Sequence, residues 1–428
     1  MPVDQVREAL SPADASNLVF DAHDQVNVFL MAGVLGRGGF VGPDGEADLE
    51  ALRAELARTL EGASPQLRRF RQRVSRSGRR LVWQECAPDL GWHVRQVEAV
   101  AGAAGLGELA GDLMTRPLPL DRPLWELLVV TGAGTGPGVV FRVHHAVADG
   151  VGVVGLVQHL FGRLPEPRAA TQGVRPVPAP RRRASLRVAV ARVLSVFRLA
   201  VPRTVLLGPI GPRRGMGFTQ VDLASLGAGA RSAGATLNDA LLAAVAPALE
   251  AALEAAGAPV LQPVPVSVPV ALPERGTSGN AVGVMLVRLP TGVSDLRERL
   301  ARISALTSAG KAEARAQGTF ELTRSQLGSR VYAFLAQRQR FIAAFVTNVR
   351  GPAERLFIAG APLELAWPVV PLQGNVRFGV AAFSYAGRLF CTVHVDAAHL
   401  DATVAERALT LELQRIVTLG EAAGDTSA

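Results

Sequence analysis

Leu49, Leu52, Leu56 and Leu60 recur at helical spacing within Ala47–Leu60, and that spacing predicts an amphipathic helix. Glu98–Leu113, the run after Gly150, Thr236–Ala256 and Val293–Gly310 also read as helices. Short β-branched runs predict strands at Gly138–Arg142, Val264–Val270, Ala281–Leu289, Val376–Ser384 and Arg388–Val395. From Arg68 to Arg80 arginines crowd a stretch that is followed by an alternating LVWQE. It predicts a basic strand pair or turn, with a solvated face as the plainer reading. Between Gly162 and Arg183 prolines replace any apolar period, which marks a linker. Helices and strands intermingle on both sides of it, so the fold class is α/β or α+β in two lobes. The expected division is a lobe over 1–162, a linker with a helix over 163–207, and a second lobe over 208–428.

Composition narrows the picture. At 428 residues, 49% hydrophobic and 19% charged, the chain has the apolar content for two folded cores and too few charges for global disorder. A mean hydropathy of +0.24 raises the question of membrane insertion. The uncharged stretch from Ala255 to Pro273 contains five prolines, which no spanning helix accommodates. The first residues mix charge and polarity without an apolar core, so no secretory signal is expected. Cys86 and Cys391 provide neither metal spacing nor a disulfide framework, so a cytoplasmic protein without bound metal is the expectation. A net charge of +8 invites a nucleic-acid reading. Lys311 is the only lysine among 45 basic residues, however, a skew typical of a coding bias. With no recognised module, no nucleic-acid partner is expected.

One motif carries chemistry. His144 and His145 are adjacent and open the run HHAVADG, which continues to Asp149 and Gly150. The pattern would arise by chance in a chain of this composition about once in a thousand. It falls between a predicted strand and a predicted helix, where a rigid scaffold presents side chains into a cleft. An imidazole near neutrality can take a proton from a hydroxyl and return it to a leaving group. His144 also fits a buried histidine bonded to backbone. Asp149 could hold the loop through an arginine or a backbone partner, and Gly150 permits a tight turn. The sequence has no G-x-S-x-G elbow and no cysteine with a reactive neighbourhood. Direct attack of an alcohol or amine on an activated acyl group, with His145 as base, is the simplest chemistry.

HHAVADG resembles the HHxxxDG motif of the CoA-dependent acyltransferase superfamily, which includes chloramphenicol acetyltransferase and peptide-synthetase condensation domains. LSPADA (Leu10–Ala15), DRPLWELLVVTG (Asp121–Gly132), GPIGPRR (Gly208–Arg214), TLNDALLAAVAPAL (Thr236–Leu249), the blocks at Glu274–Thr291 and Asn348–Leu363, and SYAGRL (Ser384–Leu389) are similar in order to segments of the bacterial wax ester synthase/acyl-CoA:diacylglycerol acyltransferase family. The resemblance implies two chloramphenicol-acetyltransferase-like lobes with an active-site tunnel between them. It implies His145 as general base, a structural Asp149, and Trp125, Asn238 and Asp239 near the interlobe channel. Core packing for Trp125 and a helix N-cap at Thr236–Asp239 are the plainer readings. No bound cofactor is implied. Acyl-CoA would be the co-substrate, with a fatty alcohol or diacylglycerol as acceptor; a natural-product hydroxyl or amine, a carrier-protein thioester, or an inactive lipid-binding homologue are the alternatives. Ser16 and Asn17 stand where that family has large apolar residues. Val26-Asn27-Val28 stands where many members have Met-His-Val, and Arg350 where proline is frequent.

Arg181–Val201 has an apolar stripe of Leu186, Val190, Val193, Leu194 and Phe197, with Arg187 and Arg198 at its border and Arg192 opposite. Such a basic amphipathic helix either packs on a lobe or lies in a membrane or lipid-droplet interface.

Overall fold

The computed structural model describes residues 7–21, 25–62, 64–78, 80–148, 150–162, 201–271, 282–317 and 334–425. Of the linker and basic helix expected over 163–207, residues 163–200 lie outside them. The strands in chain order are β1 (Arg7–Ala9), β2 (Val28–Leu35), β3 (Gln72–Ser77), β4 (Arg80–Glu85), β5 (Val94–Val97), β6 (Trp125–Val130) and β7 (Gly138–His144), then β8 (Arg214–Asp222), β9 (Val264–Ala271), β10 (Val282–Leu289) and β11 (Ala344–Arg350). The last four are β12 (Phe357–Ile358), β13 (Ala361–Val369), β14 (Phe378–Tyr385) and β15 (Arg388–Asp396). Helices are α1 (Pro12–Val19), α2 (Leu49–Glu61), α3 (Leu90–His93), α4 (Gly102–Leu113), α5 (Gly150–Phe161), α6 (Leu223–Ser232), α7 (Leu237–Ala255), α8 (Leu296–Gln317) and α9 (Ala402–Asp425).

Two six-stranded sheets form the two lobes, in the orders β12-β13-β2-β7-β6-β5 and β10-β9-β11-β14-β15-β8; a small β1-β4-β3 sheet accompanies the first. The basic stretch at 68–80 is thus a short 3₁₀ turn followed by one arm of the β3–β4 hairpin. Chain order and lobe membership do not coincide. Residues 357–369, expected in the second lobe, provide the two outer strands of the first sheet. The reason is pairing: β2 is an eight-residue apolar strand, VFLMAGVL, and β13 covers its open edge from Leu35 to Leu30. The chain therefore passes from the second lobe into the first sheet and back.

The lobes meet on aromatic rings. Trp367 of β13 stacks on Phe218 of β8, with centroids 5.0 Å apart and planes 7° apart, and its indole N–H donates to the Thr219 carbonyl at 3.2 Å. α6, α7 and α9 cover the other face of the second sheet, and α7 buries nearly every apolar residue along its length. Among the described residues no single helix is long and apolar enough to cross a membrane. The α6–α7 pair reaches the length only with a 90° bend.

GPIGPRR marks the entry into the second lobe. At Gly208 φ is +155°, and a Cβ there would lie 2.6 Å from the Arg377 guanidinium. That guanidinium donates to the Pro209 carbonyl and pairs with buried Asp396 at 3.4 Å.

A buried charge cluster underlies β7. Glu126 (1% exposed) faces Arg142 (3% exposed) directly across the β6–β7 register. Arg142 Nε donates to Glu126 Oε1 at 2.6 Å, and Arg95 donates to the other oxygen at 2.7 Å. Arg142 also donates to the carbonyls of Leu113 and Arg116, which ties β7 to the end of α4. Removing one member leaves the other charges buried and uncompensated. Glu126→Ala should therefore lose about 3–5 kcal/mol of stability. Urea denaturation checks this, and a loss below about 1 kcal/mol would mean the cluster is hydrated or replaceable.

Candidate active site

The opening signature LSPADA is a helix start. Ser11 caps α1 by accepting the Asp14 N–H at 3.1 Å, and Pro12 takes the first helical position, where no N–H is needed. α1 then carries Asn17 toward the histidine loop. β7 extends two residues beyond its predicted end, so His144 is its last residue, paired with Val28, and His145 begins the loop.

His144 is fully buried. Its Nδ1 accepts the Ala146 N–H at 2.9 Å, which places the ring proton on Nε2, and Nε2 donates to Asp21 Oδ2 at 2.9 Å. The other oxygen of Asp21 accepts the Asn27 N–H at 2.6 Å. His145 is held by both of its backbone polar groups. Its N–H donates to the Asn27 carbonyl at 2.8 Å, and its carbonyl accepts from Asn17 Nδ2 at 3.2 Å. Its ring lies against Phe29, with centroids 4.4 Å apart. Nδ1 is closed to solvent with no hydrogen-bond partner among the described residues. Desolvation pushes the imidazole pKa down to about 4, only partly offset by its own carbonyl, and the neighbouring His144 lowers it further. The ring is thus neutral at ordinary pH.

The remaining expected site residues are placed as follows. Gly150 opens α5 behind the loop, and Asp149 lies outside the described residues. Trp125 sits in the first core, 1% exposed, its indole N–H donating to the Phe70 carbonyl at 3.1 Å and its ring stacked 4.5 Å from His93. Asp239 belongs to the second lobe. Its carboxylate accepts the Thr236 N–H at 2.8 Å in a capping box and the Thr307 hydroxyl at 2.6 Å, so its oxygens serve the helix start. Asn238 beside it is half-buried. The structure brings His144 and His145 together and surrounds Trp125 and Asp239 with packing and capping partners.

Asp21, Asn17 and Asn27 are the polar partners that sequence reading did not select. The available signal was the pair of departures at Ser16-Asn17 and Val26-Asn27-Val28, where polar residues replace apolar or ring side chains. A cavity of about 730 Å³ opens beside Asp21, with Leu18, Val19, Val74 and Leu120 as apolar lining and Arg73 and Arg76 as charged lining. Among the described residues no three His, Cys, Asp or Glu side chains converge as a metal-ligand group.

Two lobes with adjacent histidines at the end of a central strand, His144 buried and His145 half-buried, have the architecture of an acyltransferase of the chloramphenicol-acetyltransferase type. Sequence models of the wax ester synthase/diacylglycerol acyltransferase catalytic domain and of the C-terminal domain match residues 10–199 and 278–414. The chain belongs to that family. A Mycobacterium tuberculosis (strain CDC 1551 / Oshkosh) protein named as a diacylglycerol O-acyltransferase is 29% identical over 343 residues, covering 69% of this chain and 68% of that protein. The wax ester synthase/diacylglycerol acyltransferase of Marinobacter aquaeolei VT8 superposes with a TM-score of 0.70 at 22% identity, over 97% of this chain and 99% of that one. The starter condensation domain of rhizomide synthetase, solved with C8-CoA, shares the fold at a TM-score of 0.57 and 14% identity, over 97% and 94% of the two chains.

His145 is one of three histidines kept neutral by burial. His93 and His394 donate Nδ1–H to the carbonyls of Trp125 and Val370, each at 2.7 Å, and their pKa values are pushed down to about 4 and about 3. Unfolded histidines take up protons near pH 6.5, whereas these take them up only near pH 4 or below. The stability they contribute is therefore complete above about pH 6.5 and is lost as pH falls from there toward 4. The expected slope approaches ~4 kcal/mol per pH unit if all three remain neutral. Urea midpoints at pH 7, 6 and 5 should drop accordingly, and His394→Gln should flatten the slope by about one proton's share. A flat stability profile over this range would contradict the burial argument.

Proposed function

We propose that this enzyme transfers an acyl group from a CoA thioester to the hydroxyl of a fatty alcohol or diacylglycerol, with His145 as general base. The observation that carries the reading is a neutral imidazole fixed through both of its backbone polar groups beside a His144–Asp21 pair. With Nδ1 closed off, Nε2 is the nitrogen that meets the acceptor. It takes the hydroxyl proton as the oxygen attacks the thioester carbonyl. The tetrahedral oxyanion collapses, the C–S bond breaks, the ester forms, and the imidazolium returns its proton to the departing CoA sulfur. Burial makes His145 a weaker base than a solvated histidine and keeps nearly all of it in the proton-accepting form at pH 7.

A CoA donor is supported by the family membership and by the C8-CoA complex of the condensation-domain neighbour. A lipid acceptor is supported by the name of the mycobacterial relative. Asp149 is assigned the role of holding the loop, as the motif implies. We propose further that the sequence Arg181–Val201, whose spacing predicts a basic amphipathic helix and of which residues 181–200 lie outside the described residues, brings the enzyme to a lipid surface.

His145→Ala should lower kcat roughly 10²- to 10⁴-fold with acyl-CoA and a long-chain alcohol, measured as CoA release, while the melting temperature stays within a few degrees of wild type. Near-normal turnover would remove the single-base mechanism. In the wild type the acid limb of kcat/KM should fall near pH 4 to 5 and not at 6.5, because the free enzyme's base is held down. Changing Arg187, Arg192 and Arg198 together to Gln should weaken co-sedimentation with anionic liposomes at low salt. Unchanged binding would make that segment a packing element.

A further inference from the structure

Asn27 uses all four of its polar groups inside the protein, and it is 1% exposed. Its N–H donates to Asp21, which holds His144, and its carbonyl accepts the His145 N–H. Its Nδ2 donates to the Asn17 backbone carbonyl at 3.0 Å and side-chain oxygen at 3.2 Å, and its Oδ1 accepts from Gln373 Nε2 at 3.0 Å. Asn17, oriented by that contact, donates its own Nδ2 to the His145 carbonyl. Gln373 lies in the segment between β13 of the first sheet and β14 of the second, where the chain crosses between lobes. The crossing is tied a second time by Gln25 Nε2 to the Gly374 carbonyl at 3.0 Å. Gly374 has φ +65°, and a Cβ there would lie 2.6 Å from the Ala336 carbonyl oxygen, so the turn requires glycine.

We propose that Asn17 and Asn27 are positioning residues that clamp the backbone of His145, and that Gln373 joins this clamp to the interlobe crossing, so that the base and the second lobe are set in register. This inference rests on His145 being the base. An amide can donate and accept at once, and a buried loop carbonyl needs a donor. Neither asparagine touches the reacting atoms. Their effect runs through the angle at which the loop presents the ring, where a displacement of about 1 Å can cost on the order of 100-fold in rate.

The test uses the full-length enzyme, a long-chain acyl-CoA and a long-chain alcohol, with CoA release as readout. Asn17→Leu removes the donor to the His145 carbonyl at similar volume, and Asn17→Asp keeps the shape while replacing the donor with an acceptor. Gln373→Leu cuts the far end. Asn17→Leu and Asn17→Asp should each lower kcat at least about tenfold with KM for both substrates within about threefold, and should move the acid limb of kcat/KM upward as the loosened ring gains water. Gln373→Leu should lower kcat several-fold. In the double variant the losses should be less than multiplicative, because both act through Asn27. The titratable groups adjoining this ring are His144 and, behind it, Asp21. A shift of the limb in Asn17→Leu therefore reports a change around the ring and not general destabilisation, which melting temperatures measure separately. If a variant fails to fold, the other two still decide the matter. Unchanged kcat and an unmoved limb in a folded Asn17 variant, or fully multiplicative losses with Gln373→Leu, would overturn the clamp. His145→Ala assayed alongside separates the two ideas: an active His145→Ala defeats the base assignment, whereas an inactive one with a wild-type-like Asn17 variant defeats only the clamp.

Discussion

The pairing of β13 onto β2 is the interaction on which the rest depends. β2 is flanked by β13 on one side and by β7 on the other, and β7 delivers the two histidines. Without β13, an eight-residue apolar strand beside the strand that ends in His144 would have an open edge. The same strand carries Trp367, whose ring seals the lobes against Phe218. One segment from the second half of the chain thus completes the first sheet, fixes the interface and sets where the chain crosses back.

A crossing of this kind leaves backbone polar groups between two cores, and each needs a partner. The structure meets that need with amide side chains: Gln25, Asn27 and Gln373 across the histidine side, and Gln339 with Asn375 on the other. Neutral amides suit the place because they satisfy donors and acceptors without adding charge beside the desolvated His145 ring. The charged partners are set farther away. Arg142 and Glu126 lie under the strand, and Asp21 reaches His144 and not His145.

Much of the scaffold was legible in the sequence. Leucine spacing located α2, and the capping pattern at Thr236–Asp239 located α7; the β-branched runs located β9, β10, β14 and β15 within a few residues. These are elements whose burial pattern follows their own period. The motif HHAVADG placed two histidines at a strand end for the same local reason. What escaped was non-local. Nothing in APLELAWPV says that it pairs with a strand more than 300 residues earlier. Nothing near HHAVADG names Asn17, Asp21 or Asn27 as its partners, because those contacts span well over 100 residues. Trp125 and Asp239 illustrate the opposite limit: residues in family segments whose side chains are surrounded by packing and capping contacts.

The late position of β13 has a consequence for biogenesis. Ribosomes add roughly 5–20 residues per second. The edge of β2, complete at Leu35, thus has to wait on the order of tens of seconds before residues 361–369 emerge to cover it. During synthesis the nascent first half presents VFLMAGVL as an unpaired apolar strand, a ready template for misassembly with neighbouring chains on the same polysome. The first sheet is therefore completed late in synthesis, only after residues 361–369 have emerged.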